Sequence, residues 1–309
     1  MSGHIPVMLT EVLEALQPRD GGRYIDGTFG GGGYSRAILE AANCCVLAID
    51  RDPDAIERGE QLAALFRGRL SLMRGEFSNM DTYFAEQGPE KSDGVVLDLG
   101  VSSFQLDDPE RGFSFREDAP LDMRMSKSGK SAAELVNEID EKGLADILAQ
   151  LGEERQARRV ARAIVAARPI NRTKELAEIV AKALGPAALR QPIHPATRTF
   201  QALRIYVNEE LSELERGLGS AERVLKAGGR LAVVAFHSLE DRVVKRFLAD
   251  RSRETPAGSR HLPGKPSANR QTFRLLWSRP RMPSAAEIER NPRARSARLR
   301  AAERTALAA

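Results

Sequence analysis

Residues 23–36 read Arg-Tyr-Ile-Asp-Gly-Thr-Phe-Gly-Gly-Gly-Gly-Tyr-Ser-Arg. The apolar pair Tyr24-Ile25 ends in Asp26, four glycines follow at Gly30–Gly33, and Ser35-Arg36-Ala37-Ile38-Leu39-Glu40 is helix-compatible. That order predicts strand, tight turn and helix start. Glycines let a backbone approach a ligand closely, and a helix start offers unpaired N–H groups. The dinucleotide fingerprint G-x-G-x-x-G fails here, because its third glycine falls on Ser35 or Arg36. The phosphate-loop pattern fails as well: Gly129-Lys130-Ser131 has no glycine at the required spacing before it. An acidic strand end with glycines four and six residues later (Asp26, Gly30, Gly32) suits adenosine with a charged amino-acid tail and no phosphates. S-adenosylmethionine is such a ligand.

Working outward, 44–50 is a continuous apolar run ending in Asp50, as expected of a parallel strand covered on both faces. Asp52-Pro53 predicts a helix start, with Asp52 as cap. Further strands are predicted at 69–73, 93–99 and 230–237, and antiparallel strands at 273–279 and 296–302. Strands alternating with helices predict a right-handed, mostly parallel α/β sheet. Its ligand then lies at the carboxyl ends of the strands, where Asp26, Asp50, Phe77, Asp98 and His237 converge. The alternation stops between about 104 and 200. Helices are expected at 131–151, 153–168 and 173–184, the last on the stripe Leu176, Ile179, Val180, Ala183, Leu184. We therefore expect a helical domain, 104–203, inserted into a sheet domain made of 1–103 and 204–309. Residues 251–272, rich in Arg, Pro, Gly and Ser, read as a mobile loop.

The net charge is only +4, yet it is unevenly placed. Segment 279–304 carries Arg279, Arg281, Arg290, Arg293, Arg295, Arg298, Arg300 and Arg304 against three glutamates, and Arg155, Arg158, Arg159, Arg162, Arg168, Arg172 and Lys174 form a second run. Such runs suit a polyanion or a solvated helix face. Cys44 and Cys45, the only two cysteines, have no metal or disulfide spacing and read as small core residues in a reducing compartment. No apolar run reaches membrane-spanning length and Pro6, Glu11 and Glu14 break any leader pattern, so a cytoplasmic protein with no membrane partner is expected. Asp50 is placed to accept hydrogen bonds from ribose hydroxyls, Asp98 to hold an ammonium and Gln105 a carboxylate. The Asn/Asp-Pro-Pro-aromatic segment common in exocyclic-amine methyltransferases is absent. His194 and His237 stand equally as structural residues or as catalysts, and neither has metal-ligand spacing. From these residues alone, a small-molecule methyltransferase and a non-catalytic S-adenosylmethionine-sensing RNA-binding protein both stay open.

The segments Asp26-Gly-Thr-Phe-Gly-Gly-Gly-Gly, Ala48-Ile-Asp-Arg-Asp-Pro, Leu97-Asp-Leu-Gly-Val-Ser-Ser, Gln105-Leu-Asp-Asp, Arg111-Gly-Phe-Ser-Phe, Pro120-Leu-Asp-Met-Arg-Met, Gly152-Glu-Glu-Arg, His194-Pro-Ala-Thr-Arg-Thr-Phe-Gln, Phe236-His-Ser-Leu-Glu-Asp-Arg and Asn291-Pro-Arg-Ala-Arg-Ser closely resemble the bacterial ribosomal RNA small subunit methyltransferase H (MraW) family. The resemblance runs in order from about His4 to Thr305. It implies a class I S-adenosylmethionine-dependent methyltransferase fold, Rossmann-like, with an inserted all-α domain for substrate recognition. It implies N4-methylation of one cytidine in the decoding region of 16S rRNA within the small ribosomal subunit, and leaves oligomeric state open, a dimer included. Carried over by position, the cofactor contacts are Gly32, Gly33, Tyr34, Asp50, Phe77, Asp98 and Gln105. Candidate catalytic groups are Asp98, Ser102, His194 and His237, with no metal. Two departures stand out: Tyr34 replaces the family's usual histidine and Phe104 a usual proline.

Overall fold

The computed structural model describes residues 6–88, 91–253 and 271–306. Most of the predicted mobile loop, 254–270, lies outside these. The chain forms two compact units: one from the chain up to Gly100 together with the chain from Leu211 onward, the other from Val101–Glu210. These boundaries differ from 104 and 203 because the last helix of the second unit runs on to Val207 and Arg204 closes a 2.7 Å ion pair with Glu210.

The first unit is built on a seven-stranded sheet ordered β3-β2-β1-β4-β5-β7-β6. Its strands are β1 (Arg23–Asp26), β2 (Cys45–Asp50), β3 (Leu70–Arg74), β4 (Ser92–Asp98), β5 (Leu225–Ala235), β6 (Phe273–Leu275) and β7 (Arg298–Arg304). Strands β1 to β5 pair in parallel, whereas β7 is antiparallel to both β5 and β6. Side chains alternate between faces with the two-residue period of a strand. Tyr24, Val46, Val96 and Val234 join one core with α1 (Leu9–Leu16), α2 (Gly33–Ala41) and α3 (Pro53–Leu65). Ile25, Leu47, Val95 and Val233 join the other with α4 (Met80–Glu86), α12 (Glu210–Val224) and α13 (Ser238–Ser252). Burial on both faces is why these strands read as unbroken apolar runs. A short α14 (Ala285–Arg290) precedes β7. Strand β5 starts five residues before the predicted 230, since Leu225 pairs with Ser92 and the register shifts around Gly228 (φ 78°) before Arg230 meets Gly94. Of the two cysteines, Cys44 is buried and donates to the Ile38 carbonyl, but Cys45 is exposed rather than part of the core.

The second unit holds α5 (Ser103–Asp107), α6 (Ala132–Glu138), α7 (Glu141–Gly152), α8 (Ala157–Ala166), α9 (Thr173–Leu184), α10 (Pro186–Leu189) and α11 (Thr197–Val207) around one apolar core. The predicted helix over 131–151 is two helices, because Asp140 caps a new start by accepting from Gly143 N–H. In α8, Val160, Ala161 and Ile164 face the core, so Arg158, Arg159 and Arg162 of the second basic run lie on the polar face of an amphipathic helix. Two of the quoted motifs are knitted together here: Arg111 donates to the Arg124 and Met125 carbonyls, and a Cβ on Gly112 (φ 68°) would lie 2.4 Å from the Pro120 carbonyl. Their role is to shape this loop.

Candidate functional site

The turn after β1 is fixed by its neighbours. Gly27 N–H donates to Val96, Phe29 N–H to Ile49, and Gly30 N–H to Asp50 Oδ2 at 2.7 Å. Asp50 Oδ1 accepts from Asp52 N–H at 2.8 Å, so one carboxylate ties the glycine turn to the start of α3. Gly32 has φ 76°, the left-handed region that glycine tolerates best. A Cβ on Gly27 would come within 2.5 Å of Leu97.

Asp26 is fully buried, and its carboxylate accepts from Thr28 N–H and from the Ser35 hydroxyl at 2.7 Å. It therefore pins the turn from inside. Burial, more than these bonds offset, pushes its pKa up to about 6. The folded state then holds a proton that the unfolded chain releases near pH 4, so Asp26's contribution to stability is fully favourable below about pH 4 and is lost as pH rises through 6, by about 3 kcal/mol. Asp26→Asn is expected to remove that share of the decline, checked by urea denaturation between pH 4 and 7.

Asp98 ends β4. Its N–H donates to the Thr28 hydroxyl at 2.6 Å, while its Oδ1 is buried with no hydrogen-bond partner among the described residues. Burial first, then the nearby Asp26 and Glu240 carboxylates, drive its pKa well above the usual range. A buried, unpartnered carboxylate oxygen invites a cationic donor. Burial likewise raises the Asp50 pKa. Phe77 opens a one-turn 3-10 helix, Phe77–Asn79, just past β3. Its ring occupies the space left by Gly217 on α12, where a Cβ would be 2.2 Å from Cε2. The buried Glu213 holds this turn by accepting from Ser78 N–H. Sequence reading passed over Gly217 and Glu213; a glycine and an acid four residues apart on an otherwise amphipathic helix were the available signal.

Tyr34 lies in the first turn of α2, but its side chain turns into the core and its hydroxyl donates to the Val7 carbonyl. Its hydroxyl is thus already engaged within the core, and the backbone of Tyr34 is what remains at the turn. Nearby, a Cβ on Gly33 would meet Pro6 at 2.2 Å, and Met8 N–H donates to Glu287. Residues 6–8 thus strap the turn. Tyr34→Phe leaves a buried carbonyl unpaired and is expected to cost about 1–2 kcal/mol, with faster amide exchange over 7–16 as the confirming measurement.

The remaining candidates are locally engaged. His237 caps α13: its Nδ1 accepts from Glu240 N–H, and Glu240 in turn accepts from Phe236 and His237 N–H. Its Nε2 is buried without a directed hydrogen bond, 3.1 Å from Glu240 Oε1. In the second unit, the Ser102 hydroxyl and the Gln105 side-chain oxygen form the reciprocal capping box of α5. His194 is exposed, accepts from Ala196 N–H and meets the Phe115 ring at a 41° tilt, 4.8 Å between centroids. The structure thus gathers Gly32, Gly33, Tyr34, Asp50, Phe77 and Asp98 in the first unit, with His237 at the neighbouring strand end. Gln105, Ser102 and His194 belong to the second.

The basic tail is reassigned. Arg298 and Arg300 both bind Asp241, Arg281 binds Glu14 and lies over Trp277, and Arg304 donates to the Glu222 and Thr272 carbonyls. Half of those eight arginines therefore staple β7 and its approach.

A parallel sheet in this order, with an antiparallel seventh strand slotted beside β5, a glycine turn after β1 and acids ending β2 and β4, defines a class I S-adenosylmethionine-dependent methyltransferase. The chain belongs to the MraW methylase family, which matches residues 1–305. It is 58% identical to the ribosomal RNA small subunit methyltransferase H of Parvibaculum lavamentivorans, over 99% of this chain and 90% of that protein. Its identity to the protein of that name from Rhodospirillum centenum is 59%, over 98% and 92%. Among solved structures, an rRNA methylase from Streptococcus thermophilus aligns over 98% of this chain and 99% of its own at 11% identity and a TM-score of 0.44. No described helix is long and apolar enough to cross a membrane.

Proposed function

We propose that this chain transfers a methyl group from S-adenosylmethionine to N4 of one cytidine in the decoding region of 16S rRNA, acting on the small ribosomal subunit in the cytoplasm. The observation that carries this reading is family membership across 1–305, with relatives that share the name of that rRNA methyltransferase over nearly their whole length.

The residues fit the cofactor. The orphan Oδ1 of Asp98 suits its ammonium, and the spare lone pairs of Asp50 suit ribose hydroxyls. Phe77, seated on Gly217, would supply an apolar wall for the adenine, and the backbone of Gly32, Gly33 and Tyr34 would supply the close approach. When bound, S-adenosylmethionine supplies an electrophilic methyl on a sulfonium. The cytosine N4 lone pair is delocalised into the ring and is a weak nucleophile, so the protein's work is alignment and removal of a proton. Asp98 is assigned to the cofactor and the Ser102 hydroxyl to the cap of α5. His194 and His237 each cap through Nδ1; His237, just past the end of β5, the strand that pairs with Asp98's own, is the candidate for holding the cytosine edge.

The test is transfer of labelled methyl to small subunits from a strain lacking this gene, followed by mass mapping of the rRNA. One N4-methylated cytidine in the decoding region is expected. Label in mononucleotides, or binding of S-adenosylmethionine with no S-adenosylhomocysteine released in the presence of subunits, refutes the proposal.

A further inference from the structure

The second unit contains an open cleft of about 590 Å³ that none of the cofactor residues line. Its walls come from the residues leading into α8 (Glu154, Arg155), the end of α9 (Leu184), α10, the 191–195 loop and Arg198 of α11. Such a volume accommodates one nucleotide. Two cations line it. Arg155 is exposed and has no side-chain partner among the described residues, whereas Arg198 is fixed by its bond to the Glu153 carbonyl. The single acid in the lining, Glu154, is buried and accepts from Gln156 N–H, so it offsets only one of the two guanidinium charges. Arg158 and Arg159 continue the positive face along α8, whose Arg162 is paired with Glu141. Beside the cations, Ile193 is 66% exposed, and His194 is steadied by its tilted ring contact with Phe115. A soluble surface exposes a large aliphatic chain singly without consequence, but here it faces a cleft with an imidazole and two guanidinium groups.

We infer that this cleft is a docking site for one unpaired nucleotide of the RNA substrate, with its phosphate on Arg155 and Arg198 and its base against His194 and Ile193. The inference rests on the rRNA reading above and deepens it: the cleft grips RNA separately from the cytidine being methylated. Single-stranded RNA presents both an anionic backbone and splayed bases that stack on flat side chains, the two chemistries this lining offers together.

Direct binding separates this idea from the reaction itself. The full-length protein is titrated with a fluorescent single-stranded RNA decamer of decoding-region sequence, and methyl transfer is measured separately. Arg155→Glu and Ile193→Asp should each weaken RNA binding at least tenfold, with the dissociation constant for S-adenosylmethionine and the melting temperature unchanged. Arg155→Lys should recover most of the affinity. Arg116→Glu, an exposed change outside the cleft, should alter it less than twofold. Arg155→Glu should also lower the slope of log affinity against log salt by about 0.7 or more. RNA affinity within twofold of the parent in both cleft variants overturns the inference. So does an equal loss in Arg116→Glu, or an acidic decapeptide that binds as tightly and is lost in the same variants. A protein that binds RNA through the cleft yet methylates no subunit would instead refute the proposed reaction alone.

Discussion

Replacing Asp98 by Asn is expected to weaken S-adenosylmethionine binding by roughly 100-fold, about 3 kcal/mol, while leaving the free protein no less stable. Both halves follow from one atom. In the free protein Oδ1 is buried without a partner among the described residues, and burial together with Asp26 and Glu240 makes its ionisation costly. The neutral amide relieves that cost, because it carries no charge to desolvate. Once an ammonium is offered, the carboxylate gains a charge-assisted partner that an amide cannot replace. The pH dependence has a definite sign. The carboxyl must ionise to receive the cation and its pKa is raised, so affinity should climb as pH rises through that pKa and level off above it. Asp98→Asn should abolish the climb. Isothermal titration across pH, paired with thermal melts, measures both; affinity within threefold of the parent would remove Asp98 from the cofactor site.

Asp241→Ala is expected to destabilise the protein by about 3 kcal/mol without touching the glycine turn. Asp241 sits in the first turn of α13, 6% exposed, and receives Arg298 and Arg300 from β7 at 3.0 and 2.7 Å. Removing it strands two arginines. Arg300 is well covered whereas Arg298 is 45% exposed, so the loss falls at the low end for a broken buried pair. Burial alone would raise this carboxyl, but the Arg300 and Arg298 hydrogen bonds outweigh it and hold the pKa below the usual range. A depressed folded pKa contributes stability that is present above about pH 4 and is lost as pH falls through the folded value. Asp241→Asn should therefore flatten the acid limb of the stability curve. Denaturant unfolding at pH 7 and pH 3 checks both; an unchanged midpoint at pH 7 would mean that the pair contributes nothing net.

Arg298 and Arg300 form part of a run that looks like a phosphate clamp in the sequence, since a linear string of arginines has the same composition whether it faces solvent or a buried acid. Asp241 is 57 residues from Arg298, and no local pattern links them. Similarly, Tyr34 stands among the cofactor contacts carried over by position, yet Val7, 27 residues earlier, takes its hydroxyl.

The sequence alone determined the alternation of strands and helices, the glycine turn between β1 and α2, the Asp52-Pro53 start of α3, and the placement of Asp50 and Asp98 at strand ends. Each is written in local periodicity, in residues with restricted backbones, or in caps that act within four residues. Only the tertiary structure decided which polar groups are already used. It committed Tyr34 to Val7, Glu213 to Ser78 and half the tail arginines to the β7 region, and it left Asp98 Oδ1 without a partner among the described residues. Hydrogen bonds and ion pairs between residues tens to hundreds apart are satisfied by packing, which a one-dimensional pattern does not encode.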